Sequence, residues 1–203
     1  MERKFAWFFS ILFHPLLITS YTLGLLFSIR TIFNSAITLQ GKLMVMGFVF
    51  STTFIFPLML ILILFRKGNI KSLQMETREE RVFPLILTAA FYYSTYYVLR
   101  QIQIPNMFQL FLLGTTFLIA LALLINFWWK ISIHMIALGG MIGTMIGISM
   151  QLNYDMRILI ALLFIVAGLT AFSRLKLSSH NPAQIYTGFL MGLTLMLVLF
   201  IQF

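Results

Sequence analysis

Residues 173–184 carry an arginine, a lysine and a histidine between two long hydrophobic blocks of the chain. Arg174 and Lys176 are cations that could hold an anion, and His180 is of a type that attacks a bound group or transfers a proton. At the end of a membrane helix, such residues predict an anion site with a nucleophile or proton carrier beside it. The alternative is a short interfacial loop with positive anchors, which membrane proteins commonly contain.

Two further polar clusters interrupt the hydrophobic sequence. The first is the loop 66–81, which contains cations and acids: Lys71, Arg78, Arg81, Glu76, Glu79 and Glu80. The second is the segment 130–134, which contains Lys130, Ser132 and His134.

If the three clusters meet on one membrane face, they predict a phosphate pocket. The cations would bind the phosphate oxygens, one histidine would attack phosphorus, and the other would protonate the leaving group. The alternative is that the cations are topology signals and the two histidines are unrelated interfacial residues.

The composition decides what kind of protein must hold these residues. Of 203 residues, 61% are hydrophobic and only 9% are charged, and the mean hydropathy is +0.99. A soluble domain has about 25% charged residues, so we expect an all-α polytopic membrane protein forming a single domain, 1–203. The absence of cysteine excludes disulfides and thiol ligands. The net charge of +9 favours anionic lipid headgroups over nucleic acid as partners, because the charges are scattered between hydrophobic segments.

A membrane span needs roughly 20 apolar residues, and the sequence predicts about seven such segments. They are 5–29, 43–65, 82–99, 107–127, 133–151, 157–173 and 183–203, the first being an uncleaved span. If 82–127 is instead one bent span, the number falls to six and the later spans reverse their direction.

Seven spans place the N-terminus and the three clusters on one face. The basic residues of that face are Arg3, Lys4, Arg66, Lys67, Lys71, Arg78, Arg81, Lys130, Arg174 and Lys176. The opposite face has Arg30, Lys42, Arg100 and Arg157. The excess of basic residues predicts a cytoplasmic N-terminus, and we expect a bacterial cytoplasmic membrane.

Glycines recur every fourth residue in two of the predicted spans. They are Gly139, Gly143 and Gly147 in the fifth span, and Gly188 and Gly192 in the seventh. Such small faces let helices approach closely, so we expect them to pack within one bundle. Homodimerisation, or binding of another membrane protein, through these faces is the alternative.

The three clusters resemble motifs of the type 2 phosphatidic acid phosphatase superfamily. Ser173, Arg174 and His180 match its last motif in identity and spacing, with Gln184 where that motif has aspartate. Ser132 and His134 are similar to its central Pro-Ser-Gly-His motif. Lys71 and Arg78 keep the spacing of its first motif, with Glu79 in place of proline.

The resemblance implies a lipid phosphatase that works without metal or other cofactor. His180 would form a phosphohistidine and His134 would protonate the leaving group. The phosphate ligands would be Lys71, Arg78, Arg174 and Ser132. Arg81 and Lys176 would be anchors, with Arg81 a spare phosphate ligand.

Position 184 has two interpretations. Gln184 could accept a hydrogen bond from His180 and fix its tautomer, without the charge of a carboxylate. It could instead close a capping box with Asn181 at the start of the last helix, where Pro182 suits the first helical position. A neighbouring acid, Glu79 or Glu80, could replace the missing carboxylate.

His14 precedes Pro15 inside the first predicted span. It is either a functional residue or a neutral histidine bonded to a carbonyl group that the proline leaves free. The competing functions are therefore a lipid phosphatase, a non-catalytic subunit or lipid-binding scaffold of the same fold, and a small transporter. The sequence contains no P-loop, dinucleotide fingerprint, zinc-binding spacing or nucleic-acid module.

Overall fold

The computed structural model describes residues 2–29, 35, 37–73, 75 and 77–202. Arg30 and Glu76 lie outside the described residues. The described chain is helical and contains no strand. Its helices are α1 (Glu2–Leu12), α2 (Pro15–Ser28), α3 (Leu39–Arg66), α4 (Glu79–Gln101), α5 (Asn106–Asn126), α6 (Ile133–Gln151), α7 (Arg157–Lys176) and α8 (Pro182–Ile201).

Six of these helices, α3 to α8, are long and apolar enough to cross a membrane. This confirms the all-helical fold and six of the predicted segments, and it is the pattern of a multi-pass membrane protein. The alternative of a single bent span over 82–127 is wrong, because 23-residue α4 and 21-residue α5 are separate helices. A two-residue Schellman-type reversal at Ile102 and Gln103 joins the end of α4 to the next segment, and Gln103 has a positive φ of 54°.

The first hydrophobic stretch is broken, which corrects the expectation of one continuous span. α1 and α2 meet at an angle of 58°. Pro15 has no N–H to donate, and the residue before a proline avoids the helical region. His14 accordingly is extended, with φ −63° and ψ 137°.

α1 packs mainly against α7. Glu2 of α1 forms an ion pair of 2.6 Å with Lys176 of α7, and Ser10, further along α1, contacts Arg174. The break therefore lets α1 pack against the C-terminal end of α7. The loop that contains His180, the predicted nucleophile, begins directly after this end.

α6 is the central helix of the bundle. In its most apolar 18-residue stretch, 72% is buried inside the protein, whereas the buried share of the corresponding stretch is 28–33% in the other five long helices. Its glycine face packs against α8, as expected from the sequence. A Cβ added at Gly139 or Gly143 would overlap a backbone carbonyl oxygen of α8, and one added at Gly192 would overlap that of Ile136.

This close pairing has a consequence for the polar clusters. α6 begins just after Ser132, and α8 begins just after Asn181. The Ser132 N–H donates to the Gln184 carbonyl oxygen at 3.3 Å, so the two helix starts lie side by side. The second and third clusters therefore meet at one end of the bundle, as predicted.

Candidate functional site

A cavity of about 1890 Å³ begins at this end of the bundle and extends between the helices. Five cationic side chains line it: Arg3, Lys4, Arg81, Lys130 and Arg174. Three histidines also line it: His14, His134 and His180. Among the described residues of the lining, none is an aspartate or a glutamate. The charge of the cavity therefore favours an anionic ligand.

His180 lies in a short loop whose two ends are both fixed by backbone hydrogen bonds. α7 ends in a Schellman motif, in which the Ser179 N–H donates to the Arg174 carbonyl at 3.1 Å and Ser178 has a φ of 52°. α8 begins with the predicted capping box of Asn181 and Gln184. Only His180 lies between these two structures, so its position is closely defined.

Gln184 has both of the roles that the sequence offered. Its Oε1 accepts from the Asn181 N–H at 3.2 Å and also lies 2.9 Å from His180 Nδ1. Because a backbone N–H can only donate, the atom it contacts must be the amide oxygen, and His180 Nδ1 must be the donor to it. In the neutral ring, the proton is then on Nδ1, and Nε2 has the lone pair that a nucleophile needs.

Burial keeps this ring neutral. His180 is 8% exposed, and burial lowers its pKa from 6.5 to about 3. The hydrogen bond to Gln184 raises the pKa, whereas the nearby charges of Arg81, Arg174 and Lys130 lower it. His180 is therefore unprotonated at neutral pH.

Arg81 and Arg174 are the two buried cations of the site, at 6% and 8% exposure. Arg81 donates from Nε to the Met75 carbonyl at 2.9 Å and from Nη1 to the Ile131 carbonyl at 3.4 Å. Arg174 donates from Nη1 to Ser10 Oγ at 2.7 Å, while its buried Nε has no hydrogen-bond partner among the described residues. No salt bridge joins either guanidinium group to an acid among the described residues, and a buried cation without such a partner is costly, so these groups favour a bound anion.

His134 is held from α1. Its Nε2 lies 3.1 Å from the Ser10 carbonyl oxygen, which can only accept, so Nε2 carries a proton. Nδ1 is then the nitrogen that could exchange a proton with a ligand. Ser10 thus contacts both His134 and Arg174, although the sequence gave no reason to single it out.

His14 is also part of the cavity lining, but its bonding differs from the expectation. Its Nδ1 accepts from the Leu16 N–H at 3.4 Å and caps α2, instead of donating to a carbonyl freed by Pro15. Its ring lies 5.6 Å from that of His134, edge to face. The break between α1 and α2 therefore turns His14 towards the site.

Three predicted phosphate ligands do not line this cavity. Lys71 is exposed, and its backbone N–H donates to Glu80. Arg78 donates to the carbonyl groups of Phe127 and Trp128, at 3.3 and 2.6 Å, and so holds the end of α5. Ser132 is fully buried, and its hydroxyl has no partner among the described residues.

Arg81, predicted only as a spare ligand, is the one cation among the described residues of the first cluster that lines the cavity. A signal for this was present in the sequence. Arg81, Leu85, Thr88 and Tyr92 recur at helical spacing and form one face of α4, and all four line the cavity. Arg78 precedes the helix, so its distance from Lys71 in the sequence does not determine where its side chain lies.

Within the described ranges, no set of three or more histidine, cysteine, aspartate or glutamate side chains could hold a metal ion. Comparisons of the chain with protein-family models, with curated proteins and with solved structures gave no match.

Proposed function

We propose that this chain is a membrane phosphatase that cleaves a lipid phosphomonoester or diphosphate, with His180 as the nucleophile. In this proposal it is a diverged relative of the type 2 phosphatidic acid phosphatases. It spans the cytoplasmic membrane of a bacterium with its N-terminus inside. The observation that carries the proposal is the pairing of His180, held as the Nδ1–H tautomer, with two buried arginines in one cavity.

The reaction has two steps. His180 Nε2 attacks phosphorus, and the bond between phosphorus and the leaving oxygen breaks. His134 takes the proton of the monoanionic phosphate at Nδ1 and passes it to that oxygen. In the second step water attacks the phosphohistidine, the bond between phosphorus and His180 breaks, and the proton of the water passes through His134 to the inorganic phosphate, which leaves with both histidines neutral again.

The arginines have the electrostatic role in both steps. Arg81 and Arg174 would bind the non-bridging oxygens of the phosphate, because an unpaired negative charge is costly in a cavity of low polarity. Their backbone and Ser10 contacts leave further guanidinium N–H groups for the phosphate. This assignment gives Arg81 the role that the sequence motif suggested for Lys71 and Arg78.

Gln184 makes the enzyme slow. It fixes the tautomer of His180, but it supplies no charge to stabilise the imidazolium formed on phosphoryl transfer. An opposite charge within 4–6 Å changes a pKa by about 1–3, so the missing carboxylate is expected to lower the rate about 10- to 1000-fold. A turnover far below that of a carboxylate-assisted enzyme is therefore expected.

The second candidate is a non-catalytic subunit that binds lipid phosphates. The observation in its favour is that Gln184 contacts His180 where a carboxylate would be needed, and that no described acid lines the cavity. Such a protein would keep the cation pair and lack turnover.

The test is phosphate release by purified protein from lipid phosphates and diphosphates, in the presence of a chelator. We expect His180→Ala to abolish release and Arg81→Gln to reduce it at least a hundredfold. Lys71→Gln, an exposed cation of the same loop, is the matched control and should retain activity. Release that survives in His180→Ala would refute the mechanism. Silence of the folded wild type, with lipid phosphate still bound, would establish the second candidate.

A further inference from the structure

The cavity continues far beyond the cations. On α5 its lining runs from Ala122 to Phe111, and on α4 from Arg81 to Tyr92. Each pair is eleven residues apart, which is about 16 Å along a helix. The apolar core of a bilayer is about 30 Å thick, so this depth corresponds to about one leaflet. We call the part below the cations, bounded by α2, α3, α4, α5 and α6, the chamber.

The chamber contains hydroxyl groups, but each of them has a partner in the protein. Thr19 Oγ1 and the Tyr92 hydroxyl are 2.9 Å apart. Thr22 and Thr88 donate to backbone carbonyls four residues earlier, and Thr115 donates to one three residues earlier. The polar atoms of the wall are thus satisfied without a ligand. Apolar cavities of this kind bind apolar ligands, whereas a site for water needs several unsatisfied polar groups.

The size of the cavity also argues for a long ligand. Pockets for drug-sized molecules have volumes of roughly 300–1000 Å³, and this cavity has about 1890 Å³. Its two ends differ in chemistry, with buried guanidinium groups at one end and satisfied, mostly apolar walls at the other. A single amphiphile, anionic at its head and hydrocarbon along its tail, complements both ends at once.

We propose that the chamber is a binding site for one hydrocarbon chain of the lipid whose phosphate binds at Arg81 and Arg174. The chain is held inside the helix bundle instead of remaining in the bilayer. The inference rests on the proposed function for the identity of the head group, and it adds a site for the tail. The enzyme then selects for a chain that reaches the chamber floor near Tyr92 and Phe111.

The first experiment maps the tail directly and needs no turnover. The wild-type protein in lipid nanodiscs is irradiated with hexadecyl phosphate that carries a diazirine near the end of its chain, and adducts are located by mass spectrometry. We expect adducts on chamber residues such as Tyr92, Phe111 and Met141. Adducts confined to lipid-facing residues such as Phe117 and Ile165, which are 54% and 60% exposed, would overturn the inference.

A pair of variants tests the same point by steric filling. Ala137 lies on α6 one turn below His134 and lines the chamber, whereas Ala161 is exposed on α7. Ala137→Phe should reduce chamber adducts at least tenfold, and Ala161→Phe should leave them at the wild-type level. Unchanged labelling in Ala137→Phe would contradict a tail site in the chamber. If that variant does not fold, the wild-type adduct map still decides the question.

The two proposals fail in different ways. Chamber adducts without phosphate release from any lipid would leave the tail site standing and refute the phosphatase. Phosphate release with adducts only on the outer surface would leave the phosphatase standing and refute the tail site. Hydrolysis of butyl phosphate as fast as that of hexadecyl phosphate would also count against the tail site, because the shorter chain cannot reach the chamber floor.

Discussion

Replacing Gln184 by glutamate puts a charge at the contact that now fixes His180. The two side chains have the same length, so the hydrogen bonds to Asn181 and to His180 Nδ1, at 3.2 and 2.9 Å, should persist. A carboxylate at this distance favours the imidazolium, and an opposite charge within 4–6 Å changes a pKa by about 1–3. We therefore expect the pKa of His180 to rise from about 3 to a value between about 4 and 6.

The same change predicts the effect on catalysis. Each pKa unit corresponds to about 1.4 kcal/mol of imidazolium stabilisation, or about tenfold in a rate limited by phosphoryl transfer to His180. Gln184→Glu should thus accelerate phosphate release about 10- to 1000-fold.

The pKa is measured by NMR titration of the histidine ring signals in detergent, with His180→Asn to assign the resonance. Gln184→Met, which keeps the length and removes the acceptor, is the matched control and should lower the pKa further. If His180 titrates at the same pH in the wild type and in Gln184→Glu, position 184 does not contact the ring, and the reasoning about its tautomer is refuted.

Three further predictions concern packing, the contact from α1 and pH. Gly139→Leu should prevent α6 from packing on α8 and should lower the free energy of unfolding by ~1–3 kcal/mol or more, measured by thermal unfolding in detergent. Ser10→Ala should remove a hydrogen bond to the buried Arg174 and should lower the free energy of unfolding by ~1.5–3 kcal/mol in the same assay. His180 has a pKa of 6.5 unfolded and about 3 folded, so the unfolded chain takes up its proton first as the pH falls. The free energy of unfolding is therefore unaffected by this ring above about pH 6.5 and falls between about pH 6.5 and pH 3. In this window it should fall by up to ~1.4 kcal/mol per pH unit more in the wild type than in His180→Asn.

Each of these has its own control. Gly168 has open space around its Cα, so Gly168→Leu should leave the unfolding temperature unchanged, and an equal loss in both glycine variants would contradict specific packing. Ser94 is exposed and bonds only to a carbonyl of its own helix, so Ser94→Ala should be neutral where Ser10→Ala is not. Parallel pH profiles for the wild type and His180→Asn would show that the ring is not buried neutral.

The sequence predicts the helices well, because a 20-residue apolar segment leaves the backbone few alternatives in a membrane. It also predicts that the glycine faces of α6 and α8 pack within the bundle, since glycines at every fourth residue let helices approach closely, but it does not show that these two helices are each other's partners. The break at His14 was harder to anticipate. Pro15 is compatible with a kink within one span, and the angle depends on tertiary contacts such as Ser10 with Arg174.

The ligands of the site were predicted only in part, for a similar reason. His134, Arg174 and His180 adjoin helix ends, so the packing of α6, α7 and α8 fixes them. Lys71 and Arg78 lie in a loop, where spacing along the chain does not determine the direction of a side chain. Periodicity within α4 would have favoured Arg81 over both.

The contacts of Ser10 have a consequence for how the protein is made. Ser10 is synthesised more than a hundred residues before its partners His134 and Arg174. Gln184, which fixes His180, follows them. Until α8 has been synthesised, His180 has no partner that fixes its tautomer. The site is therefore completed last, and a chain arrested before α8 could pair α1 with α7 but would leave the nucleophile without its orienting contact.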